Sequence, residues 1–210
     1  MLTEIKSELV VAKEAIALLR RDHSKYARNV VGMYLLSAKG RKLGSTFRSG
    51  YYFVRHIDDV LDGDRQVSCD PLGYVQDLRS QVETGHFKNG TGIATLAKHA
   101  VNSLDSHKKS RDDPRLDFLR AIDGIIFDYE RSKEKRVLTT EQLEDYYFRA
   151  FDPVVNLTLM ILNSSLRSRD IPAMSYGQGR IFSIRDLEDD WVRGTINISE
   201  DILREAALST

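Results

Sequence analysis

Three aspartates interrupt an otherwise apolar stretch, YYFVRHIDDVLD, in the first half of the chain. A helix turns by about 100° per residue, so this spacing gathers polar side chains on one face and apolar ones on the next. The polar face comprises Tyr51, Arg55, Asp58 and Asp62, with Arg48 and Asp59 just beyond it. Like charges at i,i+4 cost a helix roughly 0.2–0.5 kcal/mol. Folding alone therefore does not account for this acidic face.

A second acidic stretch, IRDLEDDWVR, follows in the last third of the chain. Its charged face comprises Asp186, Asp189, Asp190 and Arg193, with Arg185 immediately before it. A lone acidic face is as compatible with a solvated surface as with a site, but two of them, each with arginine at helical spacing, suggest a binding site. Mg²⁺ uses one or two carboxylates per ion and completes its octahedron with phosphate oxygens and water. Arginine donates to the remaining phosphate oxygens in pairs. The pattern predicts a site that holds divalent cations against phosphates.

The composition excludes several other classes of function. The 210 residues carry 31 basic and 31 acidic side chains, so there is no electrostatic case for a nucleic-acid partner. The single cysteine, Cys69, permits neither a disulfide framework nor a cysteine zinc site. The first residues lack the apolar run of a signal peptide, and no apolar stretch is long enough to span a bilayer. We expect a cytoplasmic protein, which a hydrophobic substrate could still bring to a membrane surface; the oligomeric state stays open.

Helical signals position these motifs along the chain. Asp-Pro pairs at 70–71 and 113–114 predict helix starts, Thr139 and Gln142 predict a capping box, and no sustained alternation predicts a strand. We predict one all-α domain over residues 1–210, with about eight helices and the two acidic helices facing each other across a cavity.

Four local predictions can be checked directly against the structure. Pro153 should kink or break its helix, because it lacks a donor and clashes with the previous turn. The second motif should lie on one helix that ends near Val192. The charged run 131–136 is read as a solvated helix end, and Trp191 as a core residue.

Both acidic motifs resemble those of the squalene/phytoene synthase family. YYFVRHIDDVLD is similar to the family's first aspartate-rich motif, and IRDLEDDWVRGTINISEDIL to its second. His23 to Tyr26 resembles a Ser-x-Phe element, and Ile122 to Tyr147 a middle segment that ends in Tyr-Cys. The resemblance covers Ser24 to Leu203 and implies the all-α fold of class I isoprenoid synthases.

The resemblance also implies a reaction. Two C15 or C20 prenyl diphosphates would be joined head-to-head through a cyclopropylcarbinyl diphosphate, with Mg²⁺, or Mn²⁺ in its place. By analogy, the metal ligands would come from Asp58, Asp59, Asp62, Asp186 and Asp190, to which the acidic face adds Asp189. Diphosphate would be bound by Arg48, Arg55, Arg185 and Arg193, and the catalytic side chains would be Tyr51, Arg55, Tyr146 and Arg193. No dinucleotide-binding glycine pattern follows a strand, so no Rossmann-type nicotinamide site is expected. The resemblance implies that squalene formation needs a reductant and phytoene formation does not, and we favour a non-reductive or first-half-reaction enzyme that does not require NADPH.

Several positions depart from the family pattern. Gly179 and Phe182 stand where the family has Gln and Asn, and Asn197-Ile198-Ser199 replaces Tyr-Leu-Pro. The family normally continues beyond the equivalent of Thr210, so we expect its C-terminal helices to be absent from this domain. Gly179 would leave room in the cavity, and Phe182 would either line that cavity or pack on a neighbouring helix. Two alternatives stay open: a catalytically silent member that acts as an assembly factor, and a single-substrate class I terpene cyclase.

Overall fold

The computed structural model of the chain describes residues 2–35, 38, 40–88, 92–106, 108–109 and 112–206. Its helices are α1 (Leu2–Arg21), α2 (His23–Leu35), α3 (Arg41–Leu61), α4 (Pro71–Thr84), α5 (Ala94–Asp105), α6 (Pro114–Glu134), α7 (Thr140–Ile161), α8 (Pro172–Arg185), α9 (Leu187–Arg193) and α10 (Glu200–Glu205), with a short 3-10 turn at Ser168–Asp170. No residue in these ranges belongs to a strand, which confirms the all-α prediction. None of the described helices is long and apolar enough to cross a membrane.

The predicted helix starts are confirmed by their caps. The Asp70 carboxylate accepts a hydrogen bond from the backbone N–H of Gly73 at 2.7 Å, with Pro71 as the first helical residue of α4. Asp113 begins α6 in the same way. At α7, Thr139 and Gln142 form a reciprocal capping box. Because a cap depends on residues within one turn of each other, these starts could be predicted without tertiary information.

Helix continuity differs from the prediction at two places. α7 is not broken at Pro153 but runs through it to Ile161, where this segment packs against α6 and α8 with the proline buried, and a kink at Pro153 stays a prediction. The second motif lies on two helices, since α8 ends and α9 begins at Asp186 (φ −101°, ψ 10°). The Asp186 N–H still donates to the carbonyl of Phe182, and its own carbonyl accepts from Asp190. The backbone therefore bends at this aspartate while its main-chain hydrogen bonds are kept.

The first motif lies on a buried helix, α3. Phe53 and Ile57 on its apolar face are fully buried, and the helix packs against α1, α2, α4, α5, α6 and α7. A second cluster joins α6, α7 and α8 and is largely aromatic. It comprises Leu138, Leu143, Tyr146 and Tyr147, packed against Phe127, Ala150, Phe151 and Tyr176. The acidic face of α3 is thus anchored by a core, which fixes the direction in which its carboxylates point.

Arg131 and Trp191 do not lie where the sequence predicted. Arg131, in the charged run at the end of α6, is completely buried at 0% exposure, whereas 133–136 are exposed. It is buried because an aspartate on its own helix and an asparagine beyond α9 bind its guanidinium. Trp191 is 39% exposed, and α9 has no buried residue, so its assignment to the core was wrong.

The space expected beside Gly179 is filled by an aromatic ring. A Cβ atom on Gly179 would lie 2.4 Å from Cδ1 of Tyr147, well inside van der Waals contact. This glycine therefore lets α8 pack closely on α7, and Tyr147 fills the space that was expected to stay open in the cavity.

Gly179→Ala should destabilise the fold by about 1–3 kcal/mol, because the added methyl group overpacks a rigid contact. Gly177→Ala on the same helix is the matched control. A Cβ there meets nothing within 4 Å, so it should stabilise the fold by up to about 1 kcal/mol. Urea denaturation measures both. Equal stability of the two variants would show that Tyr147 moves aside freely.

Candidate active site

The carboxylates of the first motif are paired with an arginine of the same helix. Nη1 of Arg55 lies 2.8 Å from Oδ2 of Asp58, and Nη2 lies 2.6 Å from Oδ1 of Asp59. Asp59 is 2% exposed, while a third of the Asp58 side chain reaches solvent. One turn of α3 thus holds two acidic groups against a single guanidinium, as the helical spacing predicted.

The two motifs meet through Arg193. Its Nη1 donates to Oδ2 of Asp62 at 2.6 Å, and its Nη2 lies 3.3 Å from Oδ2 of Asp64. Arg193 is the last residue of α9, whereas Asp62 follows directly after α3. The acidic segments are therefore brought together in space, with a guanidinium between them.

The aspartates of the second motif have different partners. Arg185 binds Asp186 with both Nε, at 2.9 Å, and Nη2. Asp190 accepts a hydrogen bond from Nδ2 of Asn197 at 3.0 Å. Asp189 is exposed, and its charge acts on Arg193. Asp190 is thus tied to the segment that follows α9, whereas Asp186 pairs with its neighbour in the chain.

Desolvation makes negative charge unfavourable at this site. Burial in the surrounding protein, opposed by Arg55 and reinforced by Asp62 and Asp59, raises the pKa of Asp58 to about 7. Burial likewise raises the pKa of Asp62, against the effect of Arg193. The pKa of Asp190 rises to about 6, again mainly through burial. A bound cation would relieve this cost, because it favours the ionised carboxylates.

Tyr146 is connected to the acidic residues of the site through Asp128, which was not among the predicted site residues. Its hydroxyl donates to Asp128 of α6, whose other oxygen is 2.8 Å from Nη2 of Arg131. Burial raises the pKa of Asp128, and the charge of Asp58 adds to this effect. Asp128 lies in the stretch that resembles the family's middle segment. No other acidic residue lies three or four positions away from it, so the sequence pattern did not single it out.

Tyr51 and Arg48 precede the aspartates of the first motif on α3. Tyr51 is partly buried, packs edge-on against Tyr52 at 5.2 Å, and has a pKa raised by burial. Nη2 of Arg48 lies 2.7 Å from Oε1 of Glu8 on α1, and its guanidinium stacks over Tyr34. The structure thus points Arg48 towards α1 and α2, and its role in diphosphate binding stays a prediction.

Arg21 is a second residue that the sequence did not reveal. It ends α1, and its Nη1 is 3.0 Å from Oδ1 of Asp59 and 3.2 Å from Oδ2 of Asp64. No motif marked it, because its partners are far away in the chain. Together with Arg55 and Arg193 it surrounds the first motif with guanidinium groups.

Phe182 packs and also borders the site. Its ring lies 5.5 Å from that of Phe151, and the guanidinium of Arg185 lies 4.5 Å from its centre. Because Arg185 also binds Asp186, the phenyl ring supports the arginine that orients the first aspartate of the second motif. The contact with Phe151 confirms that Phe182 packs on a neighbouring helix, and its role in lining the cavity stays a prediction.

The acidic residues fit Mg²⁺ in the chemistry of their donors. Their ligand atoms are carboxylate oxygens, which this hard cation prefers, and burial has made their negative charge costly. Within the described ranges, no three His, Cys, Asp or Glu side chains form a group that could hold a metal ion. In this arrangement, guanidinium groups contact the carboxylates that a metal would need.

Comparison with known proteins agrees with the motifs. The family model for squalene/phytoene synthase matches residues 30–210. No curated protein and no solved structure matched the chain. The matched region begins within α2, so α1 and Arg21 lie outside it. Since the match spans most of the 210 residues, the chain belongs to the squalene/phytoene synthase family.

Proposed function

We propose that this protein is a Mg²⁺-dependent prenyltransferase that condenses two prenyl diphosphates head-to-head through a cyclopropylcarbinyl diphosphate. Family membership suggests a prenyl-transferring enzyme. The observation that supports the finer proposal is the ion pair between Arg193 and Asp62, since it brings the two acidic motifs into contact. Mn²⁺ is expected to replace Mg²⁺, NADPH is not expected to be required, and C15 and C20 substrates are both candidates.

The arginines supply the diphosphate contacts in this proposal. Arg55, Arg185 and Arg193 each form an ion pair with an aspartate of the motifs, so their guanidinium groups already lie beside the proposed metal ligands. A guanidinium donates two parallel hydrogen bonds to phosphate oxygens as readily as to a carboxylate. When bound, Mg²⁺ would neutralise the charge that develops on the departing diphosphate. Arg48 contributes only if it leaves Glu8.

Ionisation of an allylic diphosphate leaves a carbocation that must be kept from water. Aromatic side chains suit this role, because their faces attract cations by about 0.5–2 kcal/mol. Tyr146 combines a ring in the aromatic cluster with a hydroxyl bound to Asp128. We assign it to the wall of the reaction chamber, and Tyr51 to the opposite wall beside Arg55.

One observation favours a catalytically silent family member as the second candidate. Arg21 and Arg55 both contact Asp59, and Arg193 contacts Asp62, so the first motif is neutralised by the chain's own arginines. A protein that kept its acidic residues only for structure would have this arrangement. Under the leading proposal, the arginines shift to the diphosphate when metal binds.

Incubation with Mg²⁺ and radiolabelled C15 or C20 prenyl diphosphate, followed by extraction into hexane, tests the proposal. A C30 or C40 product that disappears with EDTA supports it. A C15 or C20 hydrocarbon would instead indicate a terpene cyclase. The absence of turnover with both substrates, in a protein with intact helix content, would favour the silent assembly factor. NADPH-dependent formation of squalene would overturn the expectation that no reductant is needed.

A further inference from the structure

Arg131 is completely buried, yet it lies between groups from both halves of the site. We propose that Arg131, acting through Asn197, positions Asp190 for metal binding. Arg131 is thus a positioning residue, and this inference rests on the proposed function. Arg131 lies outside both acidic motifs, and Asn197 lies after the charged face of the second one, where the sequence departs from the family pattern.

A continuous set of hydrogen bonds connects the three residues. Nη2 of Arg131 donates to Oδ1 of Asn197 at 2.7 Å, and Nδ2 of Asn197 donates to Oδ2 of Asp190 at 3.0 Å. The guanidinium can only donate, so it fixes which end of the amide faces Asp190. The same Nη2 also donates to Asp128 at 2.8 Å. One buried cation thus orients a carboxylate of α6 and, through an amide, a carboxylate of α9.

Hydrophobic packing does not hold α9 in place. The helix has seven residues, none of them buried, and Val192 is 86% exposed. After it, Gly194 adopts a left-handed conformation (φ 88°), and a Cβ there would lie 2.9 Å from the carbonyl oxygen of Ser132 on α6. This close approach brings Asn197 beside Arg131. Polar contacts therefore determine where Asp190 points.

Burying the charged guanidinium of Arg131 costs free energy, so a role in stabilising the fold alone does not explain its position. Its Nε and Nη1 have no hydrogen-bond partner among the described residues, although its guanidinium lies 4.7 Å from the centre of the Tyr146 ring. A buried charge with unfilled donors usually stabilises a fold less than an apolar side chain would. A role in orientation explains why such a group is placed here.

The test is Mn²⁺ affinity, measured by electron paramagnetic resonance in the presence of inorganic diphosphate. Removing the outer partners of metal ligands typically costs 10–100-fold in affinity, and we expect about that loss for Arg131→Met and for Asn197→Leu. The double variant should bind no more weakly than the weaker single variant, because both act along one path. Arg131→Lys should recover part of the affinity. Lys133→Met, an exposed change on the same helix, should leave the affinity unchanged.

The outcomes separate this inference from the proposed function. Circular dichroism and urea midpoints establish that each variant is folded; if Arg131→Met is not, Asn197→Leu still carries the test, since it leaves the bond from Arg131 to Asp128. Wild-type affinity in Asn197→Leu, or losses that add in the double variant, would overturn the inference and leave the function intact. A wild-type protein that binds no Mn²⁺ would overturn both.

Discussion

Replacing Asp58 with asparagine should abolish prenyl transfer and at the same time stabilise the metal-free protein at pH 8. The carboxylate is a proposed metal ligand, and losing one source of transition-state charge stabilisation typically lowers turnover by about 10²–10³-fold. The folded protein nevertheless disfavours its charge, since its pKa is raised to about 7 by burial and by neighbouring carboxylates. Asparagine keeps the shape of the side chain and removes that cost.

The stabilisation should depend on pH with a defined sign. A carboxyl group whose pKa is higher in the folded state than in the unfolded state lowers the free energy of unfolding when it ionises. This loss is complete at pH values above the folded-state pKa. The gain in melting temperature of Asp58→Asn over wild type should therefore be largest at pH 8 and shrink as the pH falls from 7 towards 4. Asp145→Asn, at an exposed ion pair on α7, is the control and should change neither turnover nor stability appreciably. Wild-type turnover in Asp58→Asn would refute the assignment of Asp58 to the metal.

Arg193→Gln should produce the second large effect. It removes the guanidinium that joins Asp62 and Asp64 to the second motif and, in the proposal, a diphosphate contact as well. We expect turnover at saturating Mg²⁺ to fall by about 10²–10³-fold. Arg193→Lys should restore little, because a single ammonium cannot bind two oxygens in the planar fork that arginine offers.

Steady-state rates over a range of substrate concentrations measure the effect of Arg193→Gln. Arg204→Gln is the matched control, since Arg204 forms an exposed i,i+4 ion pair with Glu200 on α10. The control should keep wild-type kcat and KM. If Arg193→Gln also kept both values, the ion pair with Asp62 would be structural only, and the two motifs would not form one site.

Features that depend on neighbours in the chain could be predicted from the sequence. The caps at Asp70, Asp113 and Thr139 are set within one turn, and the apolar stripe of α3 defines which face of the first motif is buried. The pairing of Arg55 with Asp58 and Asp59 follows from helical spacing alone. The meeting of the two motifs was expected because sites in helix bundles are built from facing helices, and Arg193 is the contact that joins them.

Features that depend on distant partners could not be predicted. Arg131 belongs to a charged run that usually lies in solvent, and it is buried only because Asn197 returns to it from beyond α9. Arg21 reaches Asp59 from another helix, and Asp128 is recognised by a hydroxyl on α7. The bend at Asp186 has no proline or glycine to mark it. In each case, tertiary contacts determine the outcome, and hydrophobic periodicity carries no information about them.

The central claim is that both acidic motifs form one site for metal and diphosphate. Calorimetric titration of Mg²⁺ in the presence of inorganic diphosphate tests it most directly, with wild type, Asp58→Asn, Asp186→Asn and the double variant. We expect wild type to bind, each single variant to lose at least about tenfold in affinity, and the double variant to bind no more weakly than the weaker single variant. Wild-type affinity in either single variant, or no binding by the wild type, would contradict it.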